Sequence, residues 1–197
     1  MASRFKGTAA FPRGFEPTFH PDRIVEPYRL KIPSKIFTCS MGELFGGWIP
    51  ESWIGSILFT ISNNRRHTFQ VLTKSPENLY KWNKFFPENL WVGVSVTCQE
   101  DVSRIFHLRM QSVKVKVVSF EPLLGPIKAK LRNVDWIIIG GQTRPTRISE
   151  KCWVQSLVDQ ARELGIPVFL KDNLYWPEKI QQFPRITAKE LCRATNR

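Results

Sequence analysis

The strongest constraint on the fold of this chain is a rhythm. Six short β-branched or aromatic runs, each ending in polar residues, alternate with segments whose apolar residues recur at helical spacing. The runs are 35–40 (KIFTCS), 68–73 (TFQVLT), 90–96 (LWVGVSV), 115–120 (VKVVSF), 135–140 (DWIIIG) and 167–171 (PVFLK). Near-continuous apolar stretches such as WIII suit strands covered on both faces. Between them, 50–64 places Trp53, Ile54, Ile57, Leu58 and Ile61 on one helical face, with Pro50 at its start. Segment 75–86 opens with Ser75 as cap and Pro76 just inside, and 99–110 gives a third helix. Segment 149–165 is the clearest, with Ser149 as cap, Trp153, Val154, Leu157, Val158, Ala161 and Leu164 inward, and Gly165 as the stop. Strands alternating with helices at this spacing predict βα units and a parallel α/β sheet.

One link departs from the rhythm, because 121–134 has room only for a turn and one helical turn. The chain before the first strand carries prolines at 12, 17, 21, 27 and 33, which predicts an irregular, extended surface segment over 1–34. The barrel-forming part then covers 35–184, and 185–197 reads as a loose basic tail.

Sites in parallel sheets collect at the carboxyl ends of the strands. Every predicted strand here ends on polar or glycine residues: Ser40, Met41, Gly42 and Glu43; Lys74; Ser95; Glu121; Gly140, Gly141 and Gln142; Lys171. One polar strand end is ordinary. Six in register predict a shared rim around a pocket. Glu121 stands out, since an apolar run stops on a carboxylate and Pro122 then forbids the strand to continue. Its neighbours Phe120, Leu123 and Leu124 predict partial burial, so it needs a cationic partner, which Lys74 or Lys171 supplies. The bland readings are that Glu43 caps a helix and that the two lysines are exposed loop tips. His20 reads as a turn histidine, and His67 and His107 receive no role.

Lys and Arg number 29 against 17 Asp and Glu, a net charge of +12. That balance favours polyanions, nucleic acid first among them. The charges are scattered, as at Arg65–Arg66, Lys114–Lys116 and Lys128–Arg132, which also fits an inert basic surface. Cys39, Cys98, Cys152 and Cys192 are far apart, with no metal-ligand spacing, and no signal sequence opens the chain. Reduced thiols in a cytoplasm follow as the expectation. No apolar run has the length of a membrane span.

The segments GFEPTFHPDR, PSKIFTCSMGELFG, TFQVLTKSPE, LWVGVSV, SFEPLLGPI, DWIIIGGQTRP and IPVFLKDNL, in this order from about Arg4 to Trp176, resemble a phage- and prokaryote-encoded family of unknown function. That family is described as radical-SAM-like and bears a three-cysteine motif. The resemblance implies a parallel-stranded partial (βα) barrel of radical-SAM type. It also implies S-adenosylmethionine and a 4Fe-4S cluster as cofactors. By position, Ser40, Met41, Gly42 and Glu43 would meet the methionine amino group and Ser95 the ribose. Gly140, Gly141 and Gln142 would lie against adenosine or substrate, and Glu121, Lys171 and Lys74 would face the reaction space. The cysteine-rich segment of that family has no counterpart here. The expectation is therefore a barrel missing its first strand, an N-terminally truncated and inactive form with no metal ligands of its own. Cys39 and Cys98, near strand ends, read more simply as small core residues than as substitute ligands. Two other functions stay open. One is a basic protein that binds or modifies nucleic acid, with Trp91 and Trp176 as rim aromatics. The other is a non-catalytic (βα) scaffold with an unknown protein partner.

Overall fold

The structure is a computed structural model that describes residues 7–8, 14 and 16–184. The strands β1 (Lys35–Phe37), β2 (Thr68–Thr73), β3 (Leu90–Ser95), β4 (Val115–Phe120), β5 (Trp136–Ile139) and β8 (Val168–Leu170) form one sheet in that order. All five pairings are parallel. Each strand therefore lies beside its neighbour in sequence, and the six curl into a half-barrel. The short strands β6 (Gln142–Thr143) and β7 (Thr146–Arg147) make a separate antiparallel hairpin beyond β5.

The alternation of side chains separates two faces. Phe69, Val71, Val92, Val94, Val118, Phe120, Ile137, Ile139, Val168 and Leu170 point to the outer face and form the main core. Against them pack Ile54, Leu58 and Ile61 of α3 (Glu51–Asn63), Ile105 and Leu108 of α4 (Ser103–Arg109), and Val154, Leu157, Val158 and Ala161 of α5 (Lys151–Glu163). The alternate residues Leu72, Trp91, Val115, Val117, Trp136, Ile138 and Phe169 form a second apolar cluster on the inner face. Trp136 is its centre, with ring centroids 5.8 Å from Trp91, 6.0 Å from Phe169 and 5.1 Å from Phe183. These offset and edge-on contacts stabilise beyond area burial alone.

Curling has a direct signature. Lys35 on β1 lies 4.0 Å from the centroid of the Phe183 ring, which itself stacks on β5 and β8 residues at the other end of the sheet. Residues 180–182 also close the β8 edge. Leu170 N–H donates to Ile180 O at 2.8 Å and Gln182 N–H donates to Val168 O at 2.9 Å. The Trp136 indole donates to Gln182 O at 2.9 Å. On the far side, β1 has a single strand partner, β2, among the described residues.

The β4–β5 link has no helix, as its length predicts. It is a loop whose Ile127, Leu131 and Val134 are buried where a helix would otherwise cover the sheet. Gln160 of α5 holds it, accepting from Ala129 N–H at 3.0 Å and donating to Ile127 O at 3.2 Å.

Several expectations are corrected. The prolines of the first segment do not keep it extended, since two single-turn helices form, α1 (Pro21–Ile24) and α2 (Glu26–Arg29), each with proline in its first turn. The segment after Ser75 is a 3₁₀ helix over Pro76–Trp82, and Ser75 makes no side-chain cap bond. Ser149 does not cap α5. Glu150 holds that position, and the buried Ser149 hydroxyl donates instead to Leu123 O at 2.8 Å. The first strand ends at Phe37 rather than at 40, because the chain turns at Cys39, whose φ is 54°. Residues 185–197, read as a basic tail, lie outside the described residues. His67, given no role above, is buried and pins the N-terminal segment. Ser34 N–H donates to its Nδ1 at 3.1 Å, so Nε2 carries the proton and donates to Pro27 O at 3.1 Å.

Gly93 sits at the middle of the inner face, where the side chains of β2 and β4 close over β3. A Cβ there would meet Leu72 Cδ2 at 2.6 Å and Val117 O at 2.7 Å. The second contact is backbone and cannot swing away. Gly93→Ala is expected to lower unfolding stability by about 1–3 kcal/mol through overpacking, measured by urea denaturation. An unchanged midpoint would show that the strands do not close over Gly93.

Candidate functional site

Register places the predicted tips. Thr73 pairs with Val94, Ser95 with Ser119, Ser119 with Ile138 and Ile138 with Phe169. One inner-face row therefore reads Lys74, Ser95, Ser119, Ile138, Phe169. The next row up, two residues further along each strand, reads Thr97, Glu121, Gly140, Lys171. Backbone bonds continue the ladder to this level: Val96 N–H to Ser119 O at 2.9 Å, Gly140 N–H to Phe120 O at 3.1 Å, and Lys171 N–H to Ile139 O at 2.9 Å. A polar mouth thus stands on an apolar floor of Ile138, Phe169 and Trp136.

In the upper row Glu121 and Lys171 are two strands apart, with Gly140 between them. They meet all the same, Lys171 Nζ lying 2.7 Å from Glu121 Oε1 and 2.6 Å from Oε2. The glycine makes this possible, because a Cβ at Gly140 would fall 2.8 Å from Glu121 Oε1 and 2.9 Å from its Cδ. Lys171, not Lys74, is the partner that Glu121 requires. With side-chain exposures of 43% and 26%, the pair is screened by water and stabilises the fold by at most about 1 kcal/mol. Folding does not depend on it. It fixes two reactive groups at the mouth, and one Lys171 N–H stays free for a ligand.

Gly141 begins the exit into the hairpin. Its N–H donates to Asn173 Oδ1 at 3.1 Å, and Asn173 Nδ2 donates back to Gly141 O at 2.8 Å. Gln142 opens β6 and pairs with Arg147. Gly140, Gly141 and Gln142 thus lead from the ion pair into the hairpin, and a ligand would meet Glu121 where adenosine was expected on Gly140.

The tip of the first strand lies apart from this mouth. Glu43 does not face it, because both its oxygens are engaged at the end of β2. Oε1 accepts from Phe45 N–H at 3.0 Å and from the Thr73 hydroxyl at 2.7 Å, and Oε2 accepts from Lys74 N–H at 2.8 Å. Its first duty is to tie the loop after β1 to β2. Ser40, Met41, Gly42 and Glu43 line a groove of about 900 Å³ that runs between β1, α3 and the N-terminal segment, with Phe37, Trp48 and Trp53 among its walls. Lys74 is exposed at the β2 end.

Cys39 also borders this groove. The residue as a whole is exposed, yet its sulfur is desolvated, and that burial together with the Glu43 charge pushes its pKa up to about 11. It is a thiol near neutral pH and a poor nucleophile. No group of three or more His, Cys, Asp or Glu side chains among the described residues is placed to hold a metal ion.

Sequence reasoning missed a brace on the β3 tip. Thr97 N–H and the Thr97 hydroxyl donate to Asp101 Oδ2 at 2.9 and 2.7 Å. Asp101 Oδ1 receives Arg104 Nη2 at 2.8 Å, and Arg104 Nη1 donates to Ser95 O at 2.8 Å. The spacing Thr97, Asp101, Arg104 carried the signal, one helical turn between acid and base. Asn173 carried no comparable signal, since its partner Gly141 is distant in sequence. Trp91, expected on the rim, is buried on the floor among the other rings.

Fold and mouth together define a class: an α/β half-barrel with a polar, ion-paired mouth at the carboxyl ends of its strands. The chain belongs to a family described as protein of unknown function (DUF5131), whose model matches residues 1–195. No curated protein and no solved structure matches it. No helix among the described residues is long and apolar enough to cross a membrane.

Two outcomes test this geometry. A double-mutant cycle between Glu121→Gln and Lys171→Met is expected to give a coupling of about 0.5–1 kcal/mol. In a Gly140→Ala background it should vanish, since the new methyl occupies the path of the carboxylate. Coupling that survives would mean the pair does not need the glycine. The second outcome concerns acid. Burial tends to raise the Asp101 pKa, but the bonds from Thr97 and the charge of Arg104 hold it below the ordinary 3.8. A depressed carboxyl stabilises the fold above its unfolded pKa and loses that contribution as pH falls through the folded value. Acid titration of stability is therefore expected to be shallower below pH 3.8 in Asp101→Asn than in the parent.

Proposed function

We propose that the carboxyl mouth is the substrate-facing site of a barrel of the radical S-adenosylmethionine type, inactive in this form because its described residues do not hold the cluster. The observation that carries this reading is the in-register upper row, with Glu121 and Lys171 joined across Gly140 at the mouth of a parallel half-barrel. Stability has little use for that arrangement, whereas a ligand meets a carboxylate, an ammonium with a spare N–H and an apolar floor together. In this role Lys171 donates to an oxygen of the substrate, Glu121 holds the ammonium in place, and the floor excludes water below it. The Ser40–Glu43 loop and its groove offer the space for the cofactor's methionine and sugar.

The iron–sulfur cluster does not fit the described residues. Three converging thiolates are lacking, and Cys39 is held as a thiol. The residues present serve to bind and orient cofactor and substrate.

Equilibrium dialysis with S-adenosylmethionine tests it. Saturable binding is expected to the full chain. Gly42→Val should reduce it at least about tenfold by filling the groove, while the melting temperature stays put, because a Cβ at Gly42 meets nothing within 4 Å. Absence of saturable binding at millimolar cofactor, or binding indifferent to Gly42→Val, would remove this reading.

A further inference from the structure

The carboxyl rim carries charges of both signs, and they are used differently. Its acids are engaged within the molecule. Glu43 takes three donors, Glu121 pairs with Lys171, and Asp101 pairs with Thr97 and Arg104. Asp172 accepts from Gln181 Nε2 at 3.1 Å. Glu100 is held by a hydrogen bond from the Cys98 thiol, and Glu150 accepts from Cys152 Sγ at 3.5 Å. Lys74 at the β2 tip and Arg144 and Arg147 on the β6–β7 hairpin are exposed and have no ion-pair partner among the described residues.

The hairpin that carries the two arginines is fixed to the mouth. Its base is the Gly141–Asn173 double hydrogen bond, and Gly141 follows directly on the glycine beneath Glu121. Beside it, Tyr175 is 70% exposed and ends the short 3₁₀ helix Asp172–Leu174 that follows Lys171. Its φ of 51° lies in the left-handed region, an unusual conformation for a tyrosine. The β2 and β5 tips are three strand spacings apart, roughly 14 Å. A row of phosphates bridges that gap more readily than a single phosphate does. Cations along a rim with an exposed ring beside them are the arrangement that holds single strands, charge on the backbone and ring on a base.

We propose that the substrate of this mouth is a single-stranded nucleic acid, its phosphates on Lys74, Arg144 and Arg147 and a base on Tyr175, so that a nucleotide is presented to Glu121 and Lys171. This rests on the reading of the mouth as the substrate site, and names the substrate class.

The test uses the full chain, a fluorescein-labelled single-stranded oligonucleotide and anisotropy at several salt concentrations. The parent is expected to bind, with affinity falling as salt rises. Arg144→Glu/Arg147→Glu should weaken binding at least about tenfold at low salt and make the log–log salt slope shallower by about 1.4, the loss of two single-strand phosphate contacts. Arg65→Glu/Lys114→Glu changes net charge equally at the amino-terminal pole and should leave affinity within about twofold. Tyr175→Ala should weaken binding without changing the slope. Equal loss in the two charge-reversal variants would reduce the effect to general attraction and overturn the proposal. So would an absence of binding at low salt, or displacement of the strand by a mononucleotide at equal phosphate concentration. Binding of S-adenosylmethionine without the strand overturns this inference alone, and binding of the strand without S-adenosylmethionine overturns the earlier reading alone.

Discussion

The parallel ladder is the constraint on which everything else depends. Six strands, each hydrogen-bonded to its neighbour in sequence, force their side chains into rows, and a row on the inner face contains every second residue of each strand. A shift of one residue in any strand would send its inner set outward. The outer set, Phe69 to Leu170, is held against three helices and cannot tolerate that exchange. Burial on the outer face therefore fixes the chemistry of the inner one. Glu121, Gly140 and Lys171 stand side by side because Phe120, Ile139 and Leu170 are buried behind them.

Within that frame the mouth is divided by how its acids are used. Glu43 spends its oxygens joining a loop to a strand, and Asp101 spends its own bracing the β3 tip through Arg104. Both are structural carboxylates, engaged by backbone N–H groups that have no other partner there. Among the described residues, Glu121 accepts no backbone N–H and is met by Lys171 alone. That difference separates a residue that holds the rim together from one that faces what enters it, and it could not be read from residue type.

Much of this was legible in the chain. The apolar runs announced the strands, and WIII announced a strand covered on both sides, because burial leaves a periodicity in the sequence. Strand-end positions gave Glu121 and Lys171, since parallel sheets expose their carboxyl tips. What was hidden depends on distance along the chain. Asn173 and Gly141 meet only once β5 and β8 have paired, and Lys35 and Phe183 only once the sheet has curled. The bonds of Glu43 to the end of β2 were hidden too, because a loop can cross its own strand end to reach the next. Trp91 lies near the amino terminus of β3, buried on the floor, and not on the rim that its ring suggested. The hairpin β6–β7 left no signal, because two-residue strands carry no periodicity to detect.

Gly140 and Gly141 join the two halves of the functional argument. The first gives the Glu121 carboxylate a path to Lys171, and the second is gripped at both its N–H and its carbonyl by Asn173, on the loop that follows Lys171. Lys171 and Asn173 are two residues apart, so the strand end that carries the ammonium also carries the clamp on the hairpin. A force on Arg144 or Arg147 reaches Gly141 through the two short strands, and from there it reaches both partners of the ion pair, Glu121 over Gly140 and Lys171 beside Asn173. The hairpin and the ion pair are thus joined through the Gly141–Asn173 hydrogen bonds and the ends of β5 and β8, with no part of the path in the buried outer face.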